Sequence, residues 1–263
     1  MELIKLFDQP VLSYEMDYYQ YLPPANLMRL TATASFAALR DYGYNYVDLM
    51  EQMGATWMMG MVDMHVMKDL TVTNRDTQLA LYASPLHRSP ANFMLRVLAV
   101  MDHTVISWTD VCVMVVSFLE RRFVPTAEVV EKLGKPANEI VLPAPQRLML
   151  PEDMDFAFEQ PVRFFDCDRN QHLNAYRYAD YICQAAGYWD AGEHIKAEQL
   201  RIEYDSECRP GEVLSIFRKE TEEGVYVKGL KVGTPVYFMN NNFVGGIRGY
   251  INGELVFSYG SMV

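Results

Sequence analysis

The feature that most constrains how this chain can fold is that one series of elements is written twice along it. Val11 to Tyr21 reads as an extended, aromatic-rich stretch closed by Pro23-Pro24. Leu27, Leu30, Ala34, Ala37 and Ala38 then recur at helical spacing, which predicts a helix over Leu27 to Met53, bent or broken at Gly43. Strands are expected at Trp57 to Leu70, Gln78 to Ala83, Asn92 to Met101 and Thr104 to Phe118, punctuated by turns such as Thr73-Asn74-Arg75-Asp76. The second half repeats the order. An extended stretch from Phe156 to Phe165 precedes a helix from Ala175 to about Ala191. Strands follow at Ala197 to Ser206, Val213 to Lys219, Val225 to Val232, Asn242 to Ile251 and Glu254 to Ser258, the last two joined at Asn252-Gly253. The proline-rich stretch from Pro125 to Pro151 reads as a linker with one short helix, Ala127 to Leu133. A long helix followed by antiparallel strands is an α+β unit. Two such units in one chain would pair side by side like a fused symmetric dimer, with units at 1–124 and 152–263 and the linker at 125–151.

The 263 residues suffice for two cores, and half of them are hydrophobic. A net charge of −11 gives no overall attraction to nucleic acid or to anionic lipid. Arg121-Arg122 with His87-Arg88 is a candidate basic patch, and a solvated strand end is the favoured reading of it. The longest apolar run, Val111 to Phe118, has strand length and is far too short to span a bilayer. Met1 to Pro10 carries Glu2 and Asp8 and does not form a signal-peptide core, so a cytoplasmic protein is expected. Four scattered cysteines, Cys112, Cys167, Cys183 and Cys208, form neither a disulfide framework nor a zinc pattern. No metal and no cofactor is expected.

Chemistry concentrates in one turn, Asp166-Cys167-Asp168-Arg169-Asn170-Gln171-His172-Leu173-Asn174, just before the second predicted helix. A helix N-terminus offers free N–H groups and a favourable dipole to a developing negative charge, as acyl transfer requires. Capping or turn roles explain Asp166 and Asn174 taken singly, but not the whole polar cluster. Glu207-Cys208 follows the strand that ends at Ser206. Alone, it reads as a solvated acid beside an inert thiol, unless the fold returns it to His172. Tyr18 to Leu27, taken as the equivalent loop of the first half, lacks the acids and the histidine, so one active site per chain is expected. The many methionines of the first half read as packed core, and they also suit a pocket for a flexible acyl chain.

With these residues in view, the chain resembles the acyl-acyl-carrier-protein (acyl-ACP) thioesterases of bacteria and plants. Asp168-Arg169-Asn170-Gln171-His172-Leu173-Asn174 is similar to that family's D-x-N-Q-H-x-N signature. Arg201-Ile202-Glu203-Tyr204 followed by Glu207-Cys208 is similar to its strand ending in an acid and a cysteine, and the first half resembles it more loosely around Thr56-Trp57 to Val66. The broader hot-dog pattern D-x-D-x-x-x-H-x-N-x-x-x-Y is met by Asp166, Asp168, His172, Asn174 and Tyr178, while Ala175 stands where the family often has a second Asn. The resemblance implies a tandem (double) hot-dog fold, each unit a long helix wrapped by an antiparallel sheet. It implies release of free fatty acids from acyl-ACP in lipid metabolism, without cofactor, by a monomer or homodimer. The site it implies is Asp168, Asn170, His172, Glu207 and Cys208, with Asn174, Trp57 and Met59 touching substrate.

For mechanism, Asp168 or Glu207 would activate water as general base, His172 would orient, polarise or protonate, and Asn170 with helix N–H groups would hold the oxyanion. A carboxylate attacking directly, or Cys208 as nucleophile, stays open. Two further readings compete. One is an acyl-CoA thioesterase on the same fold, separable by comparing the two thioester classes. The other is a non-catalytic acyl-thioester-binding module, which would release no thiol.

Overall fold

The computed structural model describes residues 3–71, 77–120, 122–134, 138–141, 147–187, 197–222 and 224–232. The first half runs β1 (Ile4–Pro10), α1 (Pro24–Asp41), α2 (Tyr46–Met53), β2 (Ala55–Val66), β3 (Gln78–Ala83), β4 (His87–Arg88), β5 (Phe93–Met101) and β6 (Thr104–Ser117). The connecting region holds β7 (Phe123–Val124), α3 (Thr126–Leu133) and β8 (Asn138–Val141). The second half runs β9 (Asp155–Pro161), α4 (Arg177–Ala185), β10 (Gln199–Glu203), β11 (Val213–Thr221) and β12 (Gly224–Val232).

The main sheet has the order β1-β3-β5-β6-β2-β10, with β4, β7 and β8 beside it, and a second sheet has the order β12-β11-β9. Within its own unit, β9-β11-β12 repeats the β1-β3-β5 arrangement, and β10 holds the position of β2. The two halves meet where β10 pairs antiparallel with β2, Leu200 facing Met64 and Ile202 facing Val62. Exchanging Val62 with Leu200 and Met64 with Ile202 leaves that register unchanged, so the seam has a local twofold. This is the double hot-dog arrangement, an α+β fold whose halves are joined by the β10–β2 pairing.

Helix α1 supplies the central apolar face. Leu27, Met28, Leu30, Ala34 and Ala38 are almost completely buried and face β3, β5 and α4. Each large side chain removed from water in this way contributes roughly 1.5–3 kcal/mol. Tyr44, Trp57 and Phe93 pack edge to face or tilted beside it, and the indole N–H of Trp57 donates to the Tyr44 carbonyl at 2.9 Å.

Several element boundaries differ from the sequence expectation, each for a local reason. The helix expected over Leu27 to Met53 is two helices. Gly43 takes φ 86° between them, and the Asn45 side chain accepts from Asp48 N–H at 2.9 Å, which caps α2. Val11 to Tyr21 is not a strand. The strand is β1, ended by Pro10, and the following residues form turns closed by Glu15 and Asp17 side chains on backbone N–H groups. β2 stops at Val66 rather than Leu70, and α4 begins at Arg177 rather than Ala175. The expected strands at Asn242 to Ile251 and Glu254 to Ser258, their Asn252-Gly253 turn, the turn Thr73-Asn74-Arg75-Asp76 and the C-terminal end of the second expected helix lie outside the described residues.

Candidate active site

The turn that precedes α4 is closed by its own residues. Asp168 Oδ1 accepts from the N–H groups of Asn170 at 2.8 Å and His172 at 3.4 Å, and Asp168 N–H donates to the His172 carbonyl at 2.8 Å. Gln171 takes φ 64°, the left-handed conformation this reversal needs. Asp166 adds a carbonyl that accepts from Asn174 N–H at 3.0 Å and a carboxylate 3.5 Å from Arg177. The fold then brings the second polar segment back: Leu173 N–H donates to the Cys208 carbonyl at 2.7 Å.

That pairing sets His172 Nε2 2.8 Å from Glu207 Oε2. Arg209 reaches the other oxygen of Glu207, with Nη2 at 2.6 Å and Nε at 3.1 Å. The Glu207 side chain is only 5% exposed. Burial pushes its carboxyl up, but His172 and Arg209 outweigh burial and bring it down to about 2. Lys231, on β12, donates to the Glu207 carbonyl at 2.9 Å and lies 3.5 Å from Glu212. Cys208 sits beneath, fully buried against Tyr178, and burial pushes its thiol up to about 12.

A cavity of about 360 Å³ opens in front of this pair. Asp168, Asn170, His172, Asn174 and Glu207 line it from the second half; Trp57 and Met59 line it from β2. Of the residues that the resemblance assigns to the site, Cys208 alone stays out of the lining. The Arg169 guanidinium spans the rim, 4.9 Å from the ring centre of Tyr46 on α2. The cavity therefore uses side chains of both units.

The first half repeats the turn but not the chemistry. Asp17 Oδ1 accepts from Tyr19 and Tyr21 N–H groups, both at 2.9 Å, and Gln20 takes φ 67°. Glu15 accepts from Leu12 N–H as Asp166 does from Arg163 N–H, and Leu22 N–H donates to the Leu70 carbonyl as Leu173 N–H does to Cys208. The equivalent of the catalytic-type loop thus begins earlier than Tyr18, and it does carry acids, Glu15 and Asp17. Tyr19 and Tyr21 occupy the places of Asn170 and His172, so the histidine is absent there, as the sequence reading held.

Sequence reasoning missed Arg209, Lys231 and Arg169. Lys231 did leave a signal: it continues the alternation of Val225, Val227 and Gly229, the buried face of β12. A lysine in register with buried residues needs an acidic or carbonyl partner.

Comparison with known proteins follows this geometry. Residues 151–234 match the family described as the acyl-ACP thioesterase C-terminal domain. An acyl-ACP thioesterase from Bacteroides thetaiotaomicron superposes with a TM-score of 0.74 at 14% identity, over 99% of this chain and 97% of that one. A 12:0-ACP thioesterase from Umbellularia californica gives 0.75 at 14% identity, over 99% and 96%. A MaoC-like dehydratase from Phytophthora capsici gives 0.50 at 10% identity, over 79% and 72%. No curated protein matches the sequence. The structural likenesses show the shared double hot-dog fold, and the family match lies on the stretch of the chain that bears His172 and Glu207.

Proposed function

We propose that the chain hydrolyses fatty acyl-ACP thioesters, a reading supported by the family match over residues 151–234, and that the His172–Glu207 pair performs the hydrolysis, with His172 as the proton carrier and Glu207 as the group that holds it. The observation that carries this reading is the 2.8 Å contact between His172 Nε2 and the buried Glu207 carboxylate at the cavity wall. A carboxyl held near 2 by two cationic or donor partners is a poor base at neutral pH, because a base works best when its own pKa lies near the working pH. The same carboxylate is well suited to fix the imidazole with Nε2–H toward itself and Nδ1 free to accept.

Water attacks the thioester carbonyl carbon and gives its proton to His172 Nδ1. The carbonyl oxygen becomes an oxyanion facing the Asn170 side chain and the start of α4. Collapse breaks the C–S bond, and the leaving thiolate takes the proton back from His172. The products are a free fatty acid and the thiol of the carrier protein, the intended partner in the cytosol. Asp168 becomes the scaffold of the turn, a role supported by its counterpart Asp17, which makes the same bonds beside no histidine. Asn174 and the β2 residues Trp57 and Met59 contact the acyl thioester. Cys208 packs under the site and takes no part in bond making. One chain suffices for one site, since both cavity walls belong to it.

The test is a set of single variants assayed on acyl-ACP and on the matching acyl-CoA. His172→Ala and Glu207→Gln are expected to lower kcat about 100-fold or more. Cys208→Ala and Asp168→Asn should stay within about tenfold of the parent, because Asn preserves the turn bonds. A Cys208→Ala enzyme as inactive as His172→Ala would overturn the assignment, and faster turnover of acyl-CoA would move the substrate away from the carrier protein.

A further inference from the structure

One hydroxyl ties the seam between the halves to the helix that follows the catalytic turn. Tyr204 comes directly after β10, and its N–H donates to the Gly60 carbonyl of β2 at 3.1 Å. Its ring lines the cavity and stands edge to face with Tyr178 of α4, the ring centres 5.4 Å apart. Its hydroxyl donates to the Ala175 carbonyl at 3.0 Å. Burial pushes that hydroxyl well above its ordinary value, so it stays protonated and stays a donor. Ala175 borders the same cavity, just before α4. Among the described residues the N–H groups of Ala175 and Tyr176 meet no acceptor, while that of Arg177 donates to the Asn174 carbonyl at 2.9 Å. They are the unsatisfied donors of a helix start.

The first half repeats this backbone without the arrangement. Asn26 N–H donates to the Pro23 carbonyl at 3.0 Å as Arg177 N–H does to Asn174, which sets Pro23 and Pro24 in the places of Asn174 and Ala175. Val66 N–H donates to the Glu198 carbonyl at 2.8 Å as Tyr204 N–H does to Gly60, which sets Val66 in the place of Tyr204. Proline has no N–H to offer and valine has no hydroxyl. The hydroxyl and the open donors therefore occur together in the half that holds His172, and both are missing from the half that does not.

We infer that Tyr204 is a positioning residue: its hydroxyl holds the Ala175–Tyr176 peptide so that the N–H groups at the start of α4 meet the thioester oxygen as it becomes an oxyanion. This rests on the thioesterase reading of the cavity. A peptide is planar, so a bond to the Ala175 carbonyl fixes the plane that carries the Tyr176 N–H and limits the tilt of the plane before it. The same bond polarises the amide, which strengthens its N–H as a donor. Tyr204 itself makes and breaks no bond to the substrate. A donor fixed in advance need not reorganise when the charge develops, so the effect falls on the transition state and belongs to kcat.

The experiment measures kcat and KM, on acyl-ACP of a chain length that the parent turns over, for the parent, Tyr204→Phe, Ala175→Pro and the double variant. Tyr204→Phe keeps the ring and removes the hydroxyl; it is expected to lower kcat on the order of tenfold and to leave KM within about twofold. Ala175→Pro brings the first half's residue to this position and removes one donor outright, so kcat should fall about 100-fold. Both act on one set of donors, so the double variant should lose little more than Ala175→Pro alone. The pH dependence of kcat should keep its shape in Tyr204→Phe, because this hydroxyl carries no proton in the reaction. An unchanged kcat in Tyr204→Phe, a change confined to KM, or fully additive losses would refute the positioning role and leave the thioesterase reading intact. A parent that hydrolyses no acyl-ACP would refute that reading, and the role of Tyr204 with it.

Discussion

At the scale of single residues, the site is organised by what Glu207 is made to do. It is buried, ionised and shared between His172 and Arg209, so removing either partner leaves the carboxylate with one partner where it had two. The pairing has a consequence for stability. Its carboxyl is lowered from 4.5 to about 2 in the folded protein. A group lowered in this way contributes stability that is fully present above its unfolded value and is lost as the pH falls from there through about 2. The linkage amounts to roughly 3 kcal/mol. Urea unfolding of the parent at a series of pH values below neutrality should therefore show a steeper acid loss than the Glu207→Gln variant. Parallel curves would mean that the carboxylate is not paired as described. Asp168, Asn170 and His172 were legible as candidates because their residue types are costly to keep together without a purpose, whereas Glu207 was legible only through the family resemblance. The division of labour among them was not legible, because it depends on which oxygen faces which nitrogen.

At the scale of elements, the turn before α4 and the turn before α1 show how much of the local fold is written in short patterns. Asp17 and Asp168 each close a reversal, followed three residues later by a glutamine in the left-handed conformation. The aromatic character of Val11 to Tyr21 suggested a strand, and the side-chain bonds of Glu15 and Asp17 overrode it, since an acid that satisfies its own backbone competes with a sheet ladder. The break in the first long helix was signalled by Gly43. The most consequential element is β10, which is short and whose pairing partner lies in the other half. Leu200 and Ile202 are fully buried on it. Leu200→Ala is expected to cost about 2–5 kcal/mol, measurable as a lowered urea midpoint, because the cavity it leaves lies under the seam and cannot collapse. A cost below about 1 kcal/mol would show that the seam contributes little.

At the scale of the whole molecule, the double hot-dog arrangement carries the function only because the halves are unequal. The fold by itself does not fix the chemistry: a dehydratase shares it at a TM-score of 0.50. One half keeps His172 and Glu207, while the other contributes Trp57 and Met59 to the same cavity. The second half produced as a separate chain is therefore expected to lack hydrolytic activity even where it folds, and supplying the first half in trans should restore part of it. An active isolated second half would show that the cavity wall from β2 is dispensable.

The sequence by itself determined the doubled α+β order, the polar turn at Asp166 to Asn174 and the asymmetry that leaves one histidine loop per chain. These are local: periodicity, turn chemistry and residue type are set by neighbours along the chain. Tertiary structure alone decided that Glu207 meets His172, that Arg209 and Lys231 hold Glu207 in place, and that Cys208 is sealed beneath it. The His172–Glu207 and Lys231–Glu207 contacts join residues far apart along the second half, and Arg209 reaches Glu207 from two positions away. Their geometry is fixed by strand register and by packing, which no stretch of sequence encodes on its own.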